Sequence, residues 1–366
     1  MGTKQLLSAG YDGKVLLWSN DLTDSKIVIS APKSHFTTMV VHREKSTIYL
    51  GTLNSTVISY SIPTGDTKSA KMEKLHLSDK LEISESLNSL FVSGQSLIVN
   101  ELDLDSLSIK QSIPGSIDNQ ITDFSITGDG KKIISTSSSA SMIIRSVQNQ
   151  EITYRDNALL ILPGFSNYPA ATSVVVDDEN DLILVGTSNP PLVNAFSLAS
   201  LDTHRTCELP NSKSMNRAPI TEIRPMSELK KALCGDSRGN LFYTDYETDK
   251  VTDFWQTQES AVTAISELTY DIFSVGYRNG IIEVYETASS EPVHSRKCHD
   301  GPVVGLSHGI PHDTPIMKVD LEEECHEHST SECRNCSQSI ERLFWLCPVC
   351  QKRSKLYRWD SRKRFS

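Results

Sequence analysis

LLSAGYDGKVLLWS, residues 6–19, contains two short apolar runs joined by a tight turn at Asp12-Gly13, a pattern typical of a β-hairpin. Near the other end of the chain, CHDGPVVGLSH, residues 298–308, has the pattern of a single strand with no second strand after it. Together the two stretches have the pattern of one three-stranded unit. Residues 298–308 supply its first strand, and residues 6–19 supply its second and third strands. We therefore predict one sheet built from both ends of the chain, which closes a ring.

The sequence between these two stretches repeats. Runs rich in β-branched and aromatic residues recur about every 40 residues, and turns of Gly, Asn, Ser and Asp separate them. The first strands of six such units are TTMVVH (37–42), LEISES (81–86), ITDFSIT (121–127), TSVVVD (172–177), ITEIRPM (220–226) and VTAISEL (262–268). With the shared unit, the count is seven.

The shared unit resembles a WD repeat. In that family a His, a Ser or Thr, an Asp in a tight turn and a Trp form a hydrogen-bonded tetrad, and His299, Ser8, Asp12 and Trp18 stand at the matching offsets. The other six units lack the Trp-Asp dipeptide. The resemblance implies an all-β fold, a seven-bladed WD-repeat-like β-propeller over residues 1–308, closed by strands from both termini.

Composition limits the class of protein. The chain has 366 residues, 38% hydrophobic and 22% charged, which is ordinary for a globular protein with a packed core. The formal net charge of −10 disfavours nucleic acid or anionic lipid as a partner of the whole surface. We find no apolar stretch of a signal peptide or membrane span, and we expect a cytoplasmic or nuclear protein.

Four cysteines beyond the repeats form the pattern Cys-x2-Cys-x10-Cys-x2-Cys: Cys333, Cys336, Cys347 and Cys350. Two thiolate pairs at this spacing can close a tetrahedral site around one Zn(II) ion. Residues 309–324 have the composition of a linker, and we predict a small C-terminal zinc ribbon with a basic tail over residues 325–366. The segment resembles a rubredoxin-type zinc ribbon. Four thiolates leave no open position for substrate, so the predicted Zn(II) is structural.

Cys325, His326 and His328 form a second group of candidate ligands. They could join Cys333 and Cys336 in one site, or hold a second metal ion with a residue from elsewhere. A RING domain needs eight ligands in two interleaved sites, whereas residues 325–350 offer seven. A ubiquitin-ligase component with a divergent RING-like tail is therefore an alternative, distinguished by two zinc ions in place of one.

The last residues offer another alternative. Between residues 351 and 366 there are seven basic residues and one acidic residue, together with Tyr357 and Trp359. Positive charge and aromatic rings can bind the backbone and bases of single-stranded nucleic acid. Nucleic-acid binding through the basic zinc ribbon is the second function that we consider.

The turns between second and third strands present candidate partner-binding residues at one rim of the ring: Tyr11, Leu53, Arg238, Tyr277 and Arg278. Aromatic side chains and Arg are enriched among the residues that dominate binding energies at protein interfaces. The closing strand, 298–308, runs away from this rim, so we expect the ribbon to emerge on the opposite face.

These observations favour a non-catalytic scaffold or adaptor that holds other proteins in a multisubunit complex. No phosphate-binding loop, dinucleotide fingerprint or nucleophile elbow stands in a strand-to-helix context, so we predict neither an enzyme nor a small-molecule substrate. The assignment depends partly on the resemblance, because one fold serves many functions.

Overall fold

A computed structural model describes residues 5–19, 21–73, 75, 77–116, 119–138, 141–156, 170–188, 191–201, 203–208, 218–248, 250–269, 271–287, 289–310, 319–320, 330–332 and 339–341. Within these ranges the regular elements are strands, apart from two single-turn 3-10 helices, Asp178–Asn180 and Ser227–Leu229. The chain divides into two units, Met1–Leu321 and Glu322–Ser366, and the first holds all of the large sheets.

The strands of the first half are β1 (Gln5–Gly10), β2 (Lys14–Trp18), β3 (Ser25–Ser30), β4 (Phe36–His42), β5 (Thr47–Thr52), β6 (Thr56–Ser61), β7 (Thr67–Lys71), β8 (Lys80–Ser84), β9 (Ser89–Ser93), β10 (Ile98–Asp103), β11 (Ile109–Pro114), β12 (Ile121–Ile126), β13 (Lys132–Ser137), β14 (Met142–Ser146) and β15 (Ile152–Asp156).

The strands of the second half are β16 (Ala171–Asp177), β17 (Leu182–Thr187), β18 (Leu192–Ser197), β19 (Thr203–Glu208), β20 (Ile220–Met226), β21 (Lys231–Asp236), β22 (Asn240–Asp245), β23 (Val251–Gln256), β24 (Val262–Thr269), β25 (Ile272–Tyr277), β26 (Ile281–Glu286), β27 (His294–Lys297), β28 (Val303–Ile310), β29 (Val319–Asp320), β30 (Thr330–Glu332) and β31 (Ser339–Glu341).

Seven sheets of four or more strands form the first unit, and all of their strand pairs are antiparallel except one in sheet 1. Sheets 2 to 7 each take four consecutive strands, from β4–β7 through β24–β27. The first strand of each sheet contacts the first strand of the next, so these strands surround a central channel. Sheet 7 contacts β28, and β28 contacts β4 of sheet 2, which completes the ring. The prediction of an all-β, seven-bladed β-propeller is confirmed.

Sheet 1 is the closing sheet, and its strand order is β28-β1-β2-β3-β29. β28 pairs antiparallel with β1, from Gly10 opposite Val303 to Gln5 opposite Ile310. Both termini therefore contribute to one sheet, as the two quoted stretches predicted. Hydrogen bonds to strands on both sides leave no open edge on β1.

A fifth strand distinguishes the closing sheet. β29, which lies within the predicted linker, pairs in parallel with β3, with Val319 opposite Ile29 and Asp320 opposite Ser30. We call the end of the ring at which the innermost strands begin the upper face, and the end at which they finish the lower face. β28 ends at the lower face, but β29 runs back toward the upper face. The expectation that the ribbon emerges on the lower face concerns residues 325–366, most of which lie outside the described residues, and it stays a prediction.

The cores lie between neighbouring sheets. Every residue of β9 (SLFVS) is buried, because sheet 3 is covered on both faces. Between sheets 6 and 7 the core is aromatic: Phe273 and Tyr285 stack with ring centroids 5.2 Å apart, and Tyr243 meets Phe273 edge-on. Seven such apolar clusters, one after another around the ring, hold the sheets together.

A β-bulge recurs near the start of the innermost strand. In six sheets one residue is skipped in the pairing with the second strand; these residues are Thr37, Thr122, Thr172, Thr221, Thr263 and Val304. Five of the six are Thr that follow an apolar residue. Sheet 3 differs, since β8 pairs with β9 in regular register from Lys80 to Ser84. A bulge reorients the strand that contains it, so β8 enters the channel differently.

In the second unit, β30 and β31 form an antiparallel pair, with Ser331 opposite Ile340. Residues 333–338, which include Cys333 and Cys336, stand between these strands in the sequence and lie outside the described residues.

Candidate interaction face at the closing sheet

The closing sheet contains a chain of hydrogen bonds through four side chains. The indole N–H of Trp18 donates to Ser8 Oγ (2.8 Å), and Ser8 Oγ lies 2.8 Å from His299 Nε2. On the other side of the imidazole, Nδ1 lies 3.0 Å from Asp12 Oδ1. Asp12 can only accept, so Nδ1–H donates to Asp12 and the Ser8 hydroxyl donates to Nε2. The structure thus brings together the four tetrad residues that the sequence singled out.

Asp12 is the charged end of this chain. Burial raises its pKa, but the hydrogen bond from His299, together with the backbone N–H groups of Lys14 and Asp300, outweighs burial and holds the pKa below its usual value. The carboxylate therefore stays ionised near neutral pH, and it ties the turn after β1 to the segment before β28.

Two glycines allow this close approach. A Cβ atom at Gly10 would overlap the imidazole ring of His299. Gly13 has φ +75°, and a Cβ there would overlap the carbonyl oxygen of Ala31. Any other residue at these two positions would displace the tetrad or the turn.

The turn that carries Tyr11 belongs to a repeated geometry on the upper face. In six sheets, the residue after the second strand donates its backbone N–H to the carbonyl of the residue directly before the innermost strand of the same sheet. The donors are Tyr11, Leu53, Ser138, Ser188, Ser237 and Arg278, paired with Pro302, His35, Gln120, Ala170, Pro219 and Ala261. Tyr11, Leu53 and Arg278 therefore occupy equivalent positions on three adjacent sheets, as the sequence predicted.

Tyr11 and His35 form the aromatic centre of this face. Their rings stack with centroids 4.4 Å apart and planes 10° apart, and His35 Nδ1 lies 2.9 Å from the Tyr11 carbonyl oxygen. The carbonyl can only accept, so His35 Nδ1–H donates to it. His35 is exposed, whereas Tyr11 and Leu53 are half-buried. The sequence prediction missed His35, although it directly precedes the innermost strand of sheet 2.

Charged residues occupy other turns of this face. Arg278 is half-buried and Arg238, on sheet 6, is exposed. Lys14 Nζ lies 3.8 Å from Asp300 Oδ2, but both side chains are exposed to solvent, so this ion pair contributes little to stability. The face combines aromatic, aliphatic and guanidinium groups, which are typical of protein interfaces.

Tyr277 does not belong to this face. Its side chain is fully buried between sheets 6 and 7, and its hydroxyl is hydrogen-bonded to Thr257. Burial raises its pKa well above the usual value. As the last residue of β25 it points into the core, and only the next residue, Arg278, reaches the turn. The prediction of Tyr277 as a partner-binding residue was wrong.

Comparisons with known proteins bear on the fold alone. No protein-family model matches the chain, and no curated protein sequence matches it. The structure is similar to a chain in "Crystal Structure of Mitotic Checkpoint Complex". The TM-score is 0.65, the sequences are 11% identical, and the match covers 77% of this chain and 84% of that chain. At this identity the likeness supports the propeller fold and leaves the function to be argued from the residues.

A polar ladder crosses the channel side of sheets 3, 4 and 5. In one rung, the backbone N–H of Val174 donates to Asp123 Oδ2 (2.8 Å), and Asp123 Oδ1 lies 3.0 Å from Lys80 Nζ. In the other, Val176 N–H donates to Ser125 Oγ, and Ser125 Oγ–H donates to Glu82 Oε1 (3.1 Å). The sequence prediction began this unit at residue 81 and missed the ladder.

The channel charges shift one another. Burial acts to lower the pKa of Lys80, but the carboxylates of Asp123, Glu82 and Glu222 outweigh burial and raise it above the usual value. Burial raises the pKa of Glu82 to about 7, and it raises the pKa of Glu222 to about 7 as well. Carboxylates outnumber cations around Lys80, so this part of the channel favours positive charge.

The predicted zinc ligands, Cys333, Cys336, Cys347 and Cys350 with Cys325, His326 and His328, lie outside the described residues. In the part of the chain that the structure does describe, no group of three or more His, Cys, Asp or Glu side chains is arranged to hold a metal ion. Over the same ranges, no helix is long and apolar enough to cross a membrane.

Proposed function

We propose that this protein is a non-catalytic scaffold that binds partner proteins in a multisubunit complex through the upper face around Tyr11. The stacked Tyr11 and His35 rings, with Leu53 and Arg278 at equivalent positions on the flanking sheets, are the observation that carries the proposal. Hydrogen bonds fix the backbone of these turns before any partner arrives, so little conformational entropy is lost on binding.

The test compares two faces of the same ring. The Tyr11→Ala, Leu53→Asp double variant removes the aromatic centre and places a charge beside it, while the turn backbone keeps its hydrogen bonds. The matched control is Leu229→Asp, because Leu229 is an exposed leucine on the lower face, with 40% of its surface accessible. Each tagged full-length variant is expressed in the native cell, and the captured proteins are quantified by mass spectrometry.

We expect the double variant to lose the main partners at least tenfold, as for residues at the centre of an interface, ~2 kcal/mol or more. The control should capture the same proteins as the wild type. Thermal unfolding of both variants shows whether the ring is intact. Full retention of every partner by a folded double variant would refute the proposed upper-face interaction.

A second part of the proposal concerns residues 325–366. We propose that Cys333, Cys336, Cys347 and Cys350 hold one structural Zn(II) and that this module docks a further partner. The antiparallel pairing of β30 and β31 on either side of Cys333 and Cys336 in the sequence supports this part. A module this small has almost no core, so metal binding would supply about 10 kcal/mol of its folding free energy.

Metal analysis tests the zinc module. We expect one zinc per full-length chain, and none in the Cys347→Ser, Cys350→Ser variant. A chelator should release the zinc and unfold residues 325–366 while the propeller keeps its thermal transition. Two zinc ions per chain would favour the RING-like alternative. Salt-dependent binding of single-stranded RNA or DNA that requires the basic tail would favour the nucleic-acid alternative.

A further inference from the structure

A cavity of about 360 Å³ opens on the lower face, where the innermost strands of sheets 2, 3 and 4 end. Its lining includes Val41, His42, Glu82, Ile83, Glu85 and Ile126. The cavity lies at the opposite end of the innermost strands from Tyr11, so the inference concerns a second surface beyond the proposed function.

The charged side chains in this lining are carboxylates. Glu82 and Glu85 are acidic, and the ten lining residues include neither Lys nor Arg. Glu82 Oε1 accepts the Ser125 hydroxyl and the backbone N–H of Ile126 (2.9 Å). From the described residues, Glu82 Oε2 receives no hydrogen bond. Oε1 thus belongs to the polar ladder, and Oε2 can accept a hydrogen bond from a ligand.

Among the described residues, the nearby cations act on this carboxylate through charge and make no hydrogen bond to it. The charge of Lys80, on the same strand, acts to lower the pKa of Glu82, but its ammonium is hydrogen-bonded to Asp123 at 3.0 Å. Arg224 lies across the channel among Glu222 and Glu267, and it acts on Glu82 through charge without a hydrogen bond. A half-buried carboxylate with one unfilled acceptor gains most from a cation that can also donate hydrogen bonds.

The rest of the lining is apolar. Val41, Ile83 and Ile126 line the cavity beside the two glutamates. Lysine and arginine side chains match this lining. Their aliphatic stems pack on apolar surface, and their charged ends bind carboxylates. The volume is at the small end of the range for ligand pockets, which suits one side chain rather than a larger molecule.

We propose that this cavity binds the side chain of a lysine or arginine presented by an exposed segment of a partner protein. Glu82 receives the cationic group, Glu85 adds a second negative charge at the opening, and the valine and isoleucine walls contact the stem. Charge complementarity selects this occupant over an anionic or wholly apolar one.

The experiment uses the full-length protein and three small probes: Nα-acetyl-arginine methylamide, Nα-acetyl-lysine methylamide, and the citrulline analogue, which has the shape of arginine without its charge. Binding is followed by saturation-transfer NMR across a titration. We expect saturable binding of at least one cationic probe, and binding of the citrulline analogue at least about tenfold weaker, since a buried charge pair loses its partner.

Variants assign the site. Glu82→Gln should weaken binding of the cationic probe at least about tenfold. Its matched control is Glu222→Gln, which removes a channel glutamate with a similarly raised pKa that does not line the cavity, and this variant should bind as the wild type does. If Glu82→Gln fails to fold, Glu85→Lys provides the test, because Glu85 is exposed and a lysine there should neutralise the cavity.

Three outcomes overturn the proposal: equal binding of the arginine and citrulline probes, equal binding by the wild type and Glu85→Lys, or loss of binding in Glu222→Gln as large as in Glu82→Gln. The proposal is also overturned if the cationic probe binds only after the basic residues between 352 and 364 are replaced by Gln. That result would assign the cavity to the chain's own tail.

Discussion

The closing sheet and sheet 3 occupy equivalent places in the ring, yet their polar side chains make different contacts. In the closing sheet the polar groups are hydrogen-bonded in one buried chain from Trp18 to Asp12. In sheet 3 the innermost strand starts with a charged residue, Lys80, in place of the apolar residue and Thr that start most of the others. The charges of this strand, Lys80 and Glu82, lie beside the channel rather than in the core.

This difference separates two requirements on a propeller. The closing sheet has to join segments that are distant in the sequence, and a buried network of specific partners favours the right pairing. Sheet 3 is built from consecutive strands, so its position is already determined by the chain. One polar side chain of its innermost strand, Glu82, is therefore available for a further interaction, and it lines the lower cavity.

The largest difference between the two sheets should come from the tetrad. His299→Ala leaves the Asp12 carboxylate and the Ser8 hydroxyl buried without their partner, which should cost about 3–5 kcal/mol of unfolding free energy. Urea unfolding measures it. The control is His35→Ala on the exposed upper face, with an expected cost below about 0.5 kcal/mol. A loss in His299→Ala no larger than in the control would mean that apolar packing alone closes the ring.

Sheet 3 should be less sensitive. Lys80→Met leaves Asp123 and Glu82 without their cation, but 35% of the Lys80 side chain is open to the channel. We expect a loss of about 2 kcal/mol, below the range for a fully buried pair. Lys14→Met, which breaks an exposed ion pair with Asp300, should change stability by less than about 0.5 kcal/mol. Equal losses from both substitutions would contradict a distinct role for the channel charges.

The smallest effect is a dependence of stability on pH that has opposite signs at the channel glutamates, Glu82 of sheet 3 and Glu222 of sheet 6, and at Asp12 of the closing sheet. The pKa of Glu222 in the folded ring is about 7, above that of the unfolded chain, so the folded protein takes up a proton as pH falls from about 7 to about 4.5. The same holds for Glu82. Stability should therefore rise by about 1 kcal/mol over this window, because channel water reduces the full effect.

Asp12 acts in the other direction. The pKa of Asp12 in the folded protein is below its value in the unfolded chain. Its contribution to the free energy of unfolding is therefore present above about pH 4 and is lost as pH falls through the folded pKa. Thermal unfolding from pH 8 to pH 3 measures both effects. Glu222→Gln should flatten the rise between pH 7 and 5, and Asp12→Asn should remove the loss below pH 4. A wild type whose stability falls steadily from pH 8 to 5 would contradict this account.

The fold was largely predictable because its signals are local and repeated. Alternating strand patterns set the count of sheets, and the incomplete units at residues 6–19 and 298–308 required a shared sheet. β29 was not predictable, since Val319–Asp320 is too short for a periodic pattern and pairs with a strand nearly 300 residues away.

The candidate site was predictable in part. The turn positions of Tyr11, Leu53 and Arg278 followed from the repeat. Tyr277 shows that an error of one residue in a strand boundary assigns a buried core side chain to the surface. Lys80 and Glu82 needed another signal, the departure of sheet 3 from the apolar-Thr start of most innermost strands. Their pairing with Asp123 and Ser125 depends on the distance between sheets, which no single strand pattern contains.

The sharing of one sheet between Ser8 and His299, 291 positions apart, has a consequence for synthesis in the cell. A ribosome that adds about 5–20 residues per second takes roughly 15–60 s to pass from one to the other. During that time β1 has been made but β28 has not, and the edge of β1 stays open to any other strand nearby. The yield of folded protein in the cell therefore depends on what shields that edge during translation.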